Sequence, residues 1–353
     1  MLYGKTIAVV VPAFQESKQI AKVLLAVPGF VDWIVVVDDC STDGTSEVVL
    51  QYIKEQQAAL SSPIGEDRLM ILPDAQEETA MIPVDVLNND PARDRIILLR
   101  NKVNGGVGSA IARGYMWCRD YRVDCTAVMA GDAQMDPSEL ESICAPVVRE
   151  GIDYVKGNRL FHRSAWLVIP RVRYIGNSIL SLLTKIASGY WHVSDTQTGY
   201  TAISLKALNA LRLEKIHKRY GMPNDMLVKL NIAYCTIREI EIRPVYNVGE
   251  QSKMKIWKVI PGISFLLAKS FFKRLYIKYF FRDFHPLFIL YHLAFLLAII
   301  DLPIVVRIWE DTFSGVRYSV SLLILFSVLT ISGFQSLLFA MWMDIIDNER
   351  LHK

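Results

Sequence analysis

The chain contains no CxxC pair, and its five cysteines (Cys40, Cys118, Cys125, Cys144 and Cys235) are an odd number scattered through strand-like and helix-like segments. That argues against a disulfide framework and suits buried thiols in a reducing compartment. The first apolar run, Ile7 to Val11, is cut off by Pro12 and lacks both the length and the small-residue cleavage site of a signal peptide. The N-terminal part is therefore expected in the cytosol. The net charge is small, and +3 over 353 residues is too little to argue for nucleic acid, although its distribution matters more than its sum. The glycine-rich NGGVGSA, Asn104 to Ala110, lacks the lysine of a P-loop and the GxGxxG spacing, so alone it is a weak phosphate signal.

What the chain has in excess is apolar residues, 52% of the total, with a mean hydropathy of +0.26 and only 21% charged residues. The excess gathers towards the C-terminal end. Between His285 and Arg307 lie 21 residues in which only His292 and Asp301 are ionisable, roughly 31 Å of helix and a match to a bilayer core. Between Arg317 and Asp344 lie 26 uncharged residues, roughly 39 Å of helix, enough to span with tilt. Asp301 is expected to face the partner helix or another subunit, which makes homo-oligomerisation through the spans an expectation. The linker RIWEDTFSGVR is charge-balanced, whereas Lys253 to Arg282 carries eight basic residues and no acidic one. Positive-inside then places the large N-terminal part and the tail DIIDNERLHK on the cytoplasmic side. Within that basic segment Lys269, Lys273, Arg274, Lys278 and Arg282 alternate with aromatic residues, a mix suited to a helix lying in the headgroup layer.

Before the spans the pattern alternates strand and helix. KTIAVVVPAFQE reads as a buried strand ended by Pro12, and Ile20, Val23, Leu24 and Val27 form a helical stripe after it. WIVVVDDCSTDGT repeats the unit with capping Ser41, Thr42 and Asp43, and RIILLRN and TAVMAGD supply two more strands. Such alternation implies an α/β fold with a mostly parallel sheet, whose ligands bind beyond the carboxyl ends of the strands. Pro12 to Glu16, Asp38, Asp39 and Asp132 all fall there, and a rim of carboxylates suits a divalent metal and a sugar or ribose hydroxyl. Taken singly, Asp38 and Asp39 are equally well explained as helix caps. Asp136 reads as the cap of the helix PSELESI, with Pro137 in its first turn. The polar, proline-punctuated segment 57–94 reads as an insertion whose one strand candidate is LMILP.

The ordered motifs VVVPAFQE, VVVDDCSTDGT, GDAQMDP, GNR, SDTQTGY and GEQSK resemble the family-2 inverting glycosyltransferases of GT-A fold, within them the dolichol-phosphate mannose or glucose synthase type. The two-span tail is similar to the bacterial polyprenyl-phosphate branch. The resemblance implies a Rossmann-like GT-A catalytic domain over 1–252, amphipathic juxtamembrane helices over 253–285, a transmembrane hairpin of about 286–306 and 318–343, and a cytosolic tail over 344–353. It further implies that Pro12, Phe14, Glu16, Asp38 and Asp39 line the nucleotide pocket and that Asp132 and Gln134 hold Mg²⁺ or Mn²⁺. Arg159, Arg173 and Asn177 would grip the acceptor phosphate, and Asp195 would be the catalytic aspartate with Asp225 secondary. Lys253 would neutralise the leaving diphosphate. The first carboxylate of the family's DXD pair is here Ala130.

The implied reaction is transfer of one hexose from a nucleotide sugar to polyprenyl or dolichyl phosphate by an integral membrane enzyme. UDP-hexose is the favoured donor and GDP-mannose the other one open. A processive polysaccharide synthase would share the strand-end carboxylates but would carry a QxxRW-like motif and more spans, and the sequence has neither. Ala130 also leaves open an inactive membrane scaffold, against which Asp132, Gln134 and Asp195 stand.

Overall fold

The computed structural model describes residues 1–59, 82–163, 171–245, 256–315 and 319–353, without the side chains at 58–59, 171–173, 175 and 256–260. Among the described residues eight strands form one sheet in the order β3-β4-β2-β1-β5-β7-β6-β8. They are β1 (Ile7–Ala13), β2 (Trp33–Asp38), β3 (Val84–Asn88), β4 (Ile96–Asn101), β5 (Cys125–Val128), β6 (Tyr154–Asn158), β7 (Thr201–Ser204) and β8 (Ile237–Glu241). The half containing β4, β2, β1 and β5 is parallel, as alternation of strand and helix requires. Beyond it β7 runs antiparallel between β5 and β6, and β8 is again parallel to β6.

Every residue of β1 is buried, which fits a central strand covered on both faces. Its side chains divide by parity. Ala8 and Val10 join Val35, Val37, Ile97 and Tyr115 on one face, while Ile7, Val9 and Val11 join Ile34, Ile20, Leu24 and Ile143 on the other. The helices supplying these layers are α1 (Ile20–Ala26), α2 (Thr45–Ala59), α3 (Val107–Asp120), α4 (Leu140–Glu150), α6 (Leu205–Ala210) and α7 (Met222–Ile232). Helix α3 lies so close to β1 that a Cβ on Gly114 would collide with Val10.

The polar segment 57–94 differs from its reading as an insertion at both ends. Helix α2 continues to Ala59, and Val84–Asn88 forms an edge strand antiparallel to β4. VDVLN escaped notice because an edge strand exposed along its middle has no buried period-two face to betray it. LMILP lies outside the described residues.

Helix α5 (Arg171–Ser188) packs on α8 (Ile256–Tyr276), which passes through a π-helical turn, Ile277–Arg282, into α9 (Pro286–Ser314) and α10 (Val320–Glu349). Both α9 and α10 are long and apolar enough to cross a membrane, and their central stretches are almost unburied by protein. Asp301 on α9 faces the partner helix, accepting a hydrogen bond from the Thr330 hydroxyl at 2.7 Å.

Two of the basic residues expected among lipid headgroups are instead inside the protein. Arg274 is fully buried, its guanidinium forked onto the Asp344 carboxylate at 2.7 and 2.8 Å and donating to the Ile186 and Ala187 carbonyls at 3.1 and 3.0 Å. Lys278 pairs with Asp347 at 3.1 Å, and the Tyr279 hydroxyl lies 3.0 Å from Asp344 and 2.9 Å from Asp347. Nor does DIIDNERLHK trail as a loose tail. Helix α10 runs through it to Glu349, and then the Ile237 amide donates to Leu351 and the Lys353 amide to Ile237, at 2.7 and 3.0 Å. The end of the chain thus joins β8, at the same end of the hairpin as the sheet.

A buried ion pair loses most when one partner alone is removed. Arg274→Ala or Asp344→Ala should each cost about 3–5 kcal/mol in detergent-solubilised unfolding, while joint replacement by Met and Leu should recover much of the loss. A single-variant cost below about 1 kcal/mol would match a solvent-screened surface pair instead.

Candidate active site

At the carboxyl ends of β1 and β2, two loops are stitched together by short polar residues. The Gln15 amide donates to the Ser41 hydroxyl, the Glu16 amide to the Thr45 hydroxyl and the Ser17 amide to Asp43, each at 3.0 Å. Burial would raise the Asp43 carboxyl, but hydrogen bonds from Thr45 and Ser17 outweigh it and hold the group below its ordinary value. The turns after β1, β2 and β5 each pass through a left-handed residue without being glycine, at Gln15, Cys40 and Ala133, with φ of 60°, 65° and 59°. Such strain concentrates where surrounding bonds over-determine the backbone.

The adjacent carboxylates of β2 divide the work. Asp38 is fully buried; it accepts from the Ser41 amide at 2.9 Å and from the Ser46 hydroxyl, with Arg100 3.7 Å away. Asp39 accepts from the Asn101 side chain at 2.8 Å and from the Gly105 and Gly106 amides at 2.9 and 2.7 Å. NGGVGSA is therefore held by a carboxylate of the rim. Gly106, at φ 85°, has no room for a Cβ against the Lys218 carbonyl, which explains the glycine by close approach rather than by phosphate binding. Pro12 is buried, Phe14 is exposed and Glu16 is half-buried on the same rim.

The β5 end reaches this rim through the Gly131 amide, which donates to the Pro12 carbonyl at 3.2 Å. Asp132 and Gln134 follow, both half-buried, with the Gln134 amide donating to Asp132 at 3.1 Å. Among the described residues no group of three His, Cys, Asp or Glu side chains is arranged to hold a metal. One carboxylate and one amide, two residues apart, fit an ion that takes its other ligands from substrate oxygens and water, as Mg²⁺ commonly does. Asp136 caps as expected, accepting from the Ser138 amide at 2.9 Å with Pro137 next in line.

The SDTQTGY segment joins the rim through Tyr200, whose hydroxyl donates to the Asp136 carbonyl at 2.9 Å. Within it Asp195 is buried and gripped by Arg159 from the end of β6: Nε at 2.8 Å, Nη2 at 3.1 Å and the backbone amide at 3.1 Å. Burial alone would raise this carboxyl, but Arg159 and Lys156 more than offset it and hold Asp195 below its ordinary value. Beneath it the Lys156 ammonium donates to the Thr198 carbonyl, and burial depresses its pKa to about 8. Glu239, raised by burial, accepts from the Ser194 and Asp195 amides at 2.9 and 3.0 Å. The sequence reading missed Lys156 and Glu239, although Lys156 stands directly before the GNR motif. A lysine inside the short strand YVKGN was the available signal.

Asp225 does not join this cluster through any described contact. It lies in the first turn of α7, accepting from the His217 amide at 2.8 Å and from Lys229. Its neighbour Asn224, also missed, is the residue that reaches the loop, accepting from Gln197 at 2.8 Å and Thr184 at 3.0 Å. Arg173 is placed on α5 with its side chain undescribed, and Asn177 is half-buried on the same helix. Lys253 lies outside the described residues.

A family model described as Glycosyl transferase family 2 matches residues 8–64 and 73–212, more than half the chain. An uncharacterised protein of Methanocaldococcus jannaschii is 27% identical over 74% of this chain and 89% of its own length. A UDP-N-acetylglucosamine–dolichyl-phosphate N-acetylglucosaminyltransferase of Methanococcus voltae is 25% identical over 69% of this chain and 87% of its own. Among solved structures, glucosyl-3-phosphoglycerate synthase of Mycobacterium tuberculosis aligns with 77% of this chain and 80% of that chain, at 17% identity and a TM-score of 0.48.

The Arg159–Asp195 pair predicts a pH signature. With the native carboxyl below the unfolded value near 3.9, its stabilisation is complete above about pH 5 and is lost as the pH falls through the unfolded and then the lower native value. Thermal unfolding of the wild type should therefore decline more steeply between about pH 5 and 3 than that of Asp195→Asn. Parallel curves would show that Asp195 is not held ionised.

Proposed function

We propose, since the chain belongs to glycosyl transferase family 2, that it transfers a single sugar from a nucleotide donor to a polyprenyl phosphate at the cytosolic face of a membrane, inverting the anomeric carbon. The observation that carries this reading is the Arg159 fork beside Asp195 on the strand-end rim, in a chain whose last two helices are apolar enough to cross a bilayer. A guanidinium fork fits a phosphate as well as it fits a carboxylate. The Methanococcus voltae relative acts on dolichyl phosphate, which supports the acceptor class. Its donor supports a UDP-sugar; a hexose is favoured, and the relative brings N-acetylhexosamine into the panel beside GDP-mannose. In this reading residues 1–252 form the catalytic domain and both termini are cytoplasmic.

The chemistry asks little of a base. A phosphate monoester with a second pKa of about 6 is largely ionised near neutral pH, so its oxygen can attack without losing a proton to the enzyme. Asp195, gripped by Arg159 and held ionised, orients the arginine and the acceptor rather than removing a proton. The nucleotide lies along Pro12, Phe14, Glu16 and the Asp38–Asp39 loop. Asp132 and Gln134 would hold Mg²⁺ or Mn²⁺, which would supply positive charge against the diphosphate leaving group. Arg173 and Asn177 on α5, and Lys253, complete the proposed phosphate contacts.

Incubation of purified protein with polyprenyl phosphate, Mg²⁺ or Mn²⁺ and UDP- and GDP-sugars should give one monoglycosylated lipid. No product with any donor would sink the reading, and long glycan chains would make the protein a polymerase. Asp132→Asn should abolish turnover while the protein stays folded. Arg159→Ala should raise the KM for the lipid more than that for the donor; an equal rise in both would remove Arg159 from the acceptor site.

A further inference from the structure

Helices α7 and α8 and the loop before α7 enclose a groove of about 180 Å³ that the transfer reaction does not use. Lys215 comes from the loop, Lys229 from α7, and Lys269 and Lys273 from α8, with His217 and Ser270 between them. One carboxylate, Asp225, faces these four ammonium groups, and it is already engaged by Lys229 and the His217 amide. Glu214, the next acidic group in reach of Lys229, precedes the lining residues. None of Lys215, Lys269 and Lys273 forms an ion pair among the described residues. Lys229 is largely buried, and burial with Lys273 nearby lowers its proton affinity. Burial likewise keeps the His217 imidazole below its ordinary value, making it a neutral hydrogen-bonding partner near pH 7. The floor is closely fitted, because a Cβ on Gly221 would collide with Leu266 and His217.

Like charges from three separate elements around one small concavity are costly unless an anion joins them. The surroundings indicate its source. Beside the lysine stripe α8 exposes Phe265, Phe272 and Tyr276. The Phe272 ring lies 5.5 Å from Phe295, and Tyr276 lies 5.2 Å from Phe288, both on the first membrane-length helix. An aromatic stripe flanked by lysines is the pattern of a surface at headgroup depth.

We infer that this groove is a second phosphate site, separate from the Arg159 fork, taking the phosphate of an anionic lipid headgroup or the same group from solution. The inference rests on the hairpin crossing a bilayer and not on the sugar-transfer reaction. Its test therefore uses no activity.

Full-length protein in neutral detergent would be mixed with phosphatidylglycerol, phosphatidylcholine or inorganic phosphate, with binding followed by native mass spectrometry and thermal unfolding. Phosphatidylglycerol should bind the wild type and raise its unfolding temperature. Joint replacement Lys215→Gln, Lys269→Gln and Lys273→Gln should weaken that binding roughly tenfold or more, since each lysine near an anionic surface contributes about 1 kcal/mol. Lys269→Arg with Lys273→Arg should retain it. The single exposed changes Lys269→Gln and Lys273→Gln give a graded loss should the triple variant fold poorly. Inorganic phosphate acting alone through the same lysines would identify a free anion as the source and still support the site. Equal binding of phosphatidylcholine, an unaltered response in the triple variant, or an equal loss from Lys18→Gln with Lys22→Gln would overturn it.

Discussion

The fold depends on a charge pair removed from water where three parts of the chain meet. Arg274 and Asp344 are both fully buried, a state whose desolvation cost is offset only when every remaining donor and acceptor is satisfied. Here four guanidinium bonds reach two carboxylate oxygens and two backbone carbonyls at the C-terminal end of α5, and the Tyr279 hydroxyl and Asn348 amide add donors to Asp344. A cation against the last carbonyls of α5 also opposes that helix's dipole. The pair thereby fastens the C-terminal ends of α5, α8 and α10 into one junction.

The junction reaches the active-site rim within a few residues. Gly189 follows α5 at φ 77°, with the Arg274 guanidinium filling the place of a side chain. Trp191 donates from its indole to Asp344 at 3.3 Å, and the His192 ring lies 5.0 Å from His352 near the chain's end. Three residues later comes Asp195. The loop carrying that carboxylate is therefore built on the membrane-length hairpin at one side and on Glu239 of β8 at the other. A rigid support of this kind favours positioning over flexibility, which the proposed transfer between two anionic substrates would require.

Legibility in the sequence followed the range of the interaction. The parallel half of the sheet was readable because buried strands and the helical stripe at Ile20, Val23 and Leu24 are local patterns, and the Asp136 cap because a cap involves its immediate neighbours. The antiparallel β7 and the edge strand β3 were not, since pairing partners leave no mark on a short strand. Arg274 and Lys278 were assigned to headgroups because their carboxylate partners stand about seventy residues away in what read as a tail. Asp38 and Asp39 stand at the carboxyl end of β2, where the strand pattern puts them, but their engagement with Ser41, Ser46 and the glycine loop is a matter of side-chain direction. Composition is blind to that. The same holds for Glu239, whose place beside the SDTQTGY loop becomes visible only when β6 and β8 are paired.

The cations of this chain sort by chemistry as well as by place. Arginines stand where a planar fork is matched by two oxygens in fixed geometry, Arg159 on Asp195 and Arg274 on Asp344. Burial leaves their charge intact, so they can serve in the interior. Lysine behaves differently when enclosed, and Lys156 and Lys278 both fall to about 8 beneath their neighbours. At Lys269 and Lys273 the side chains are exposed on flexible stems, suited to a phosphate whose orientation is not fixed. A polyprenyl phosphate held for reaction needs the first kind of recognition, because its attacking oxygen must be aimed. A headgroup that merely sits beside the protein, as inferred for the groove between α7 and α8, needs only the second.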